Sequence, residues 1–180
     1  DGIISGTEVW DIITQDDQRD SVPYHYSGLQ DKTGGCRMGE IVTLTAGSGI
    51  GKSQLAREFA HNLIRHGKTI GYIALEESVK RTALGLMSIE MNKPLHLQSK
   101  DVPEEELRDA FNATLGTGRV YLYDHWGSTD SDNLLDKIRY LVHGCGCDYI
   151  ILDHISIVVS GLEGGDERRL IDNTMTRLRT

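Results

Sequence analysis

Residues Ala46-Gly47-Ser48-Gly49-Ile50-Gly51-Lys52-Ser53 put three glycines, a lysine and two hydroxyls into eight positions. Glycines let the backbone curl so that several N–H groups converge on one anion, and a helix start adds positive potential. A lysine closing such a turn reaches the β- and γ-phosphates of a nucleoside triphosphate, and the hydroxyl beside it can ligate Mg²⁺. The nucleotide-binding set expected here is therefore Ala46 to Ser53 together with Gln54, with Ser53 on the metal. The octet opens on Ala46 rather than glycine, which the pattern tolerates where no positive φ is needed. A chance glycine turn is the bland alternative. The apolar run Ile41-Val42-Thr43-Leu44 before the octet and the helical pattern after it weigh against that alternative.

Hydrolysis also needs carboxylates. Asp153 directly follows the apolar run Tyr149-Ile150-Ile151-Leu152, the pattern of the acid that holds a nucleotide's Mg²⁺, usually through water. A helix-capping aspartate at a strand exit would look the same. Glu76 and Glu77 end another apolar run, where a carboxylate can polarise water for attack on the γ-phosphate. Glu76 continues the strand and is the expected base, while Glu77 should turn away into the next helix. Taken alone, a Glu-Glu pair is more often a solvated face. Lys52, Glu76 and Asp153 form the expected catalytic set.

These residues need elements to hold them. Strands are expected at Glu40–Thr45, Thr69–Leu75, Val120–Tyr123 and Tyr149–Leu152. Helices are expected at Lys52–His66, from Ser78 to Met91, from Pro103 to Leu115, from Asp130 to His143, and from Asp166 to Leu178. Leu55, Phe59 and Leu63 stack four apart, and Gly67 ends their helix. A short helix with Thr7 as N-cap puts Val9, Trp10 and Ile13 on one face. Asp16 to Tyr26 reads as loop and Gly28 to Gly39 as turn-rich. Strands alternating with helices imply a mostly parallel sheet covered on both faces, with chemistry at the carboxyl ends of its strands.

Composition sets outer limits. The 180 residues carry a net charge of −8, which argues against a coat that grips nucleic acid everywhere but allows a local basic strip. Three cysteines, Cys36, Cys145 and Cys147, read as free thiols; Cys145-Gly146-Cys147 resembles half a metal site without a second ligand pair. No apolar stretch reaches membrane-spanning length, and no signal peptide opens the chain. The first residue is Asp1, as expected of a piece of a longer protein. His154 reads as a phosphate sensor or a structural histidine, and Tyr121, Tyr123 and Trp126 as packing residues rather than base-stacking ones.

Several stretches resemble one family. Leu75-Glu76-Glu77-Ser78 is similar to the segment whose first glutamate activates water. Gly146 to Ser160 resembles the Walker B strand and the loop after it. Asp166-Glu167-Arg168-Arg169, leading to Ile171-Asp172-Asn173 and Met175-Thr176, is similar to the helix that follows, and Gly39-Glu40 is a familiar lead-in to the core. The chain resembles, over nearly its whole length, the helicase domain of T-odd phage-type primase–helicases, relatives of the DnaB-like and Twinkle replicative helicases.

The resemblance implies a RecA-like P-loop NTPase core of α/β class, C-terminally incomplete. Residues 1–27 would be a linker with a short oligomerisation helix, and 28–180 the N-terminal part of the core. It implies a ring-forming motor, hexamer or heptamer, that uses ATP or dTTP with Mg²⁺ to translocate on single-stranded DNA. Gly161, Arg168 and Arg169 would then face a central channel and bind DNA backbone; the alternative is a solvated helix start pairing with Asp166 and Glu167. Trp10 and Ile13 would anchor the linker helix on the neighbouring subunit, or else Trp10 packs on its own domain. The sensor residue and arginine finger of the family lie beyond Thr180, so the piece alone is expected to hydrolyse nucleotide poorly. A primase domain upstream and the cytoplasm of an infected bacterium complete the implied setting. The competing class is a non-translocating RecA-like recombinase or DNA-coating ATPase, which would form filaments rather than rings.

Overall fold

The computed structural model describes residues 4–14, 20–95, 101–124, 131–154 and 174–178. In chain order these form α1 (Val9–Thr14), β1 (Ser21–Val22), α2 (Ser27–Thr33), β2 (Cys36–Arg37), α3 (Lys52–Arg65), β3 (Ile70–Ala74), α4 (Val79–Met91), α5 (Glu104–Ala113), β4 (Val120–Leu122), α6 (Ser131–Arg139) and β5 (Tyr149–Asp153). A 3₁₀ turn, Leu115–Thr117, follows α5, and α6 widens into a π turn at Tyr140–Gly144. Residues 174–178 are helical.

The helix ends follow local chemistry. Ser78 caps α4 by accepting a hydrogen bond from the Arg81 N–H at 3.3 Å, and Asn92 closes that helix in the left-handed region with φ 52°, a conformation asparagine tolerates better than most residues. Pro103 precedes α5, whose first turn carries Glu104, Glu105 and Glu106. Negative charge there complements the helix dipole.

The main sheet has the order β4-β3-β5, all parallel, with Ile70 opposite both Val120 and Tyr149, and Ala74 opposite Asp153. Central β3 is buried along its whole length, and its side chains alternate between two cores. Ile70, Tyr72 and Ala74 pack with Ala60, Leu63 and Ile64 of α3 and Leu86 of α4. Ile73 packs on the other face with Leu134 of α6, Leu141 of the π turn and Cys147. Gly71 makes that second face possible: a Cβ there would lie 2.8 Å from Ile150 Cδ1 and 2.9 Å from Leu141 Cδ1. The sheet is α/β and parallel, as the sequence pattern predicts.

Two regions depart from expectation. Residues 40–45, expected as the first strand, take no regular structure, and Ile41, Val42 and Leu44 are exposed. A strand requires a ladder partner, and this run stands across a cavity from the outer edge of β5 instead of pairing with it. Residues 20–39, expected as loop and turns, instead hold α2 and a small antiparallel ladder, Ser21 opposite Arg37 and Val22 opposite Cys36. Val22 is buried in the α3–β3 core, so tertiary burial organises a stretch whose local sequence signal is weak. That ladder also ties residues on the linker side of the expected 27/28 boundary to the core. Of the helix expected at Asp166–Leu178, only its last turn lies within the described residues.

Candidate functional site

The loop of residues 46–51 leads straight into α3. Gly49 and Gly51 have φ of 76° and 97°, which side chains with a Cβ rarely adopt, and the space beside both is open. Lys52 folds back over the loop: its Nζ donates to the Ala46 carbonyl at 2.7 Å and to the Gly47 carbonyl at 2.8 Å. The ammonium is thereby held beside the loop backbone that would surround a phosphate.

The carboxylates arrive from the sheet. Parallel pairing sets Ala74 opposite Asp153, and the Leu75 N–H donates to the Asp153 carbonyl at 2.8 Å. The residues that leave β3 therefore emerge beside the end of β5. Lys52, Asp153 and His154 line one cavity of about 450 Å³, together with Ile41 to Leu44. Residues 46–51, Ser53, Gln54 and Glu76 stand outside that lining, which follows β5 from Asp148 to His154; Ser53 is half-buried in the first turn of α3.

The twin glutamates have separate environments. The Glu76 side chain is 62% exposed, and its Oε2 lies 3.7 Å from His154 Nδ1. The Glu77 side chain is 14% exposed. Both of its oxygens accept from Arg57 Nη2 of α3, Thr82 Oγ1 donates to Oε2 at 3.4 Å, and Arg81 Nε stands 3.6 Å away. Glu77 is committed to tying α3 to the start of α4, which leaves Glu76 as the free carboxylate at the strand end. Nothing in the sequence pattern pointed to Arg57; its role depends on which residues of α3 turn toward the end of β3.

The donor set suits magnesium. A hydroxyl on Ser53 and a carboxylate on Asp153 are the hard oxygen ligands that Mg²⁺ takes, and that ion is usually shared with substrate phosphates rather than caged by protein. Among the described residues no group of three or more His, Cys, Asp or Glu side chains is arranged to hold a metal by itself. Cys145 and Cys147 are free thiols, and burial pushes the Cys147 thiol up to about 11.

The remaining expected residues lie elsewhere. Trp10 and Ile13 project from α1, 67% and 68% exposed, and take no part in the cavity. Gly161, Arg168, Arg169 and Trp126 lie outside the described residues. Tyr123 packs in the core between β5 and α6, whereas Tyr121 is exposed. An aromatic group absent from the sequence reading, Tyr24, His25, Tyr26 and Phe59, packs against α3, with Tyr24 and Phe59 lining the cavity. Glu58 joins it, accepting from the Tyr26 hydroxyl, which holds that carboxyl below its ordinary range.

Known proteins share this chain's sequence and fold. A DNA helicase/primase of Enterobacteria phage T3 is 39% identical over 189 residues, covering 99% of this chain and 33% of that protein. A replicative DNA helicase DnaB of Leifsonia xyli subsp. xyli is 26% identical over 151 residues, covering 82% of this chain and 33% of the relative. The chain thus spans about a third of the length of these curated relatives. A KaiC-like protein from Pyrococcus horikoshii superposes with a TM-score of 0.58 at 21% identity, over 89% of this chain and 63% of its own, which marks a shared RecA-like fold. Residues 21–179 match the family described as DnaB-like helicase C terminal domain, and with the phage relative this match places the chain in that family.

Proposed function

We propose that this chain is the nucleotide-hydrolysing portion of a replicative DNA helicase, a motor that translocates on single-stranded DNA. The observation that carries the proposal is the convergence at the carboxyl end of the sheet. Lys52 and Asp153 share one cavity, and the β3–β5 register brings Glu76 out beside Asp153 while Arg57 holds Glu77 away.

In this reading the loop of residues 46–51 and Gln54 bind the triphosphate through backbone N–H groups, and Lys52 exchanges its two carbonyl partners for phosphate oxygens. Ser53 and Asp153 would hold Mg²⁺, which would supply neutralisation of charge on the phosphates. Glu76 accepts a proton from the attacking water, with His154 close enough to feel its charge. ATP and dTTP are the candidate nucleotides. Gly161, Arg168 and Arg169 contact the DNA backbone, by charge and by N–H donation. Trp10 and Ile13 dock α1 on a neighbouring copy, and six or seven copies close a ring. The name of the phage T3 relative, a helicase/primase, supports a primase domain in the same polypeptide. The setting is the cytoplasm of a phage-infected bacterium.

The test is strand separation on a forked DNA substrate, with Mg²⁺ and either ATP or dTTP, in the full-length protein. Nucleotide-dependent unwinding that Lys52→Ala abolishes is the expected result. DNA-stimulated hydrolysis without unwinding, with helical filaments rather than closed rings by electron microscopy, would overturn it in favour of a recombinase-like ATPase.

A further inference from the structure

Tyr72 occupies the centre of β3 and is 1% exposed, yet its hydroxyl has no hydrogen-bond partner among the described residues. Its neighbours on the same face, Ile70 and Ala74, are apolar, and all three pack on α3 and α4. A phenylalanine would serve that packing equally well. Burying an unsatisfied hydroxyl is costly, so the phenol calls for an acceptor.

Two carboxylates are within electrostatic reach. Burial first, and then the charge of Asp153, push the Tyr72 phenol well above its ordinary ionisation range, with Glu77 a weaker contributor of the same sign. Both Glu77 oxygens are already engaged by Arg57. Tyr72 pairs with Ile151, and Ala74, on the same face of β3, pairs with Asp153. Asp153 is therefore the diagonal neighbour of Tyr72, two residues further toward the carboxyl end. Strand side chains lean along the strand, and aromatic ones reach diagonal positions. Arg57, whose charge reaches the Tyr72 phenol, has an Nε that is likewise buried without a partner among the described residues, and a buried water needs two to four polar groups.

We infer that Tyr72 is a positioning residue for Asp153: its hydroxyl donates to the Asp153 carboxylate, directly or through one buried water, and fixes that carboxylate's orientation toward the nucleotide's Mg²⁺. The inference rests on the reading above that Asp153 serves the metal.

Equilibrium binding of a fluorescent ATP analogue, titrated with Mg²⁺ and repeated in EDTA, tests it in the unsubstituted protein, Tyr72→Phe, Asp153→Asn and the double variant. Tyr72→Phe should raise the Mg²⁺ concentration for half-maximal tightening about three- to tenfold, leave binding in EDTA unchanged and not lower the melting temperature. The double variant should match Asp153→Asn alone. A Tyr72→Phe titration that overlays the unsubstituted one, while Asp153→Asn shifts, overturns the positioning role and leaves the metal reading intact. No shift from Asp153→Asn removes both. Equal weakening by Tyr72→Phe with and without Mg²⁺ reduces Tyr72 to a structural residue.

Discussion

β3 and the run Ile41–Leu44 are both short apolar stretches that deliver a chain into a turn bearing chemistry, and they fare differently. β3 lies between two strands and two layers of helix, buried throughout. The run before the glycine loop has no ladder partner among the described residues, and Val42 is 57% exposed. Apolar composition permits a strand, but hydrogen-bonded neighbours on each side make one. The helix α1 shares the second condition: its apolar face, with Trp10 and Ile13, has nothing from the described residues to cover it. The contrast separates parts that stand on their own packing from parts that await a surface.

The twin glutamates at the end of β3 test the well-anchored side most severely. Glu76→Gln should slow nucleotide hydrolysis about 10²–10⁴-fold with an unchanged melting temperature, measured by phosphate release and thermal melting. Glu77→Gln should instead destabilise the fold by about 1.5–3 kcal/mol, because it weakens the hold on Arg57. Exchanged phenotypes would assign the base to the wrong member of the pair.

Next in size is a matched pair of truncations read by urea denaturation. Ile73→Ala, in the core between β3 and α6, should cost about 2–5 kcal/mol, and Val42→Ala no more than about 0.5 kcal/mol. Equal costs would mean that the run pairs with the free edge of β5 in solution and that the contrast drawn here dissolves. For α1, Trp10→Ala should weaken self-association by about 2 kcal/mol while leaving nucleotide affinity nearly intact. Unchanged assembly by light scattering would show that this face docks nothing.

The smallest effect concerns the outer side of α3. The Tyr26 hydroxyl holds the Glu58 carboxyl below its ordinary range. A carboxyl depressed in the folded state contributes stability that is present above the unfolded pKa and lost as pH falls through the folded one. Tyr26→Phe should therefore lower stability at pH 7 and flatten the acid limb, the two proteins converging in thermal melts as pH falls through the carboxyl range.

Much of the fold was legible because its signals are local. The 14 residues of α3 announce themselves by spacing four apart and by Gly67, and β5 by an unbroken apolar run before Asp153. The positions of Glu76 and Asp153 followed from one rule about parallel strand ends, and that of Lys52 from the helix the glycine turn opens. What stayed hidden depends on partners distant in sequence. α2 has a single half-buried leucine, Leu29, to betray it, and β1 is two residues long. The separate fates of Glu76 and Glu77 hinge on Arg57, some 20 residues away. Tyr72 reads as one more apolar strand position until its hydroxyl is seen to lack a partner.

The posture of Lys52 bears on how quickly a ligand is caught. With its ammonium already clasped by two neutral carbonyls of its own loop, the side chain has given up part of its rotational freedom in advance, and in the proposed role the exchange to phosphate oxygens would require only a short swing. On a chain with a surplus of eight negative charges, where long-range attraction of anions is poor, capture depends on this local readiness rather than on steering from afar. Association should accordingly quicken as added salt screens that repulsion, and selectivity should reside in how long the anion stays.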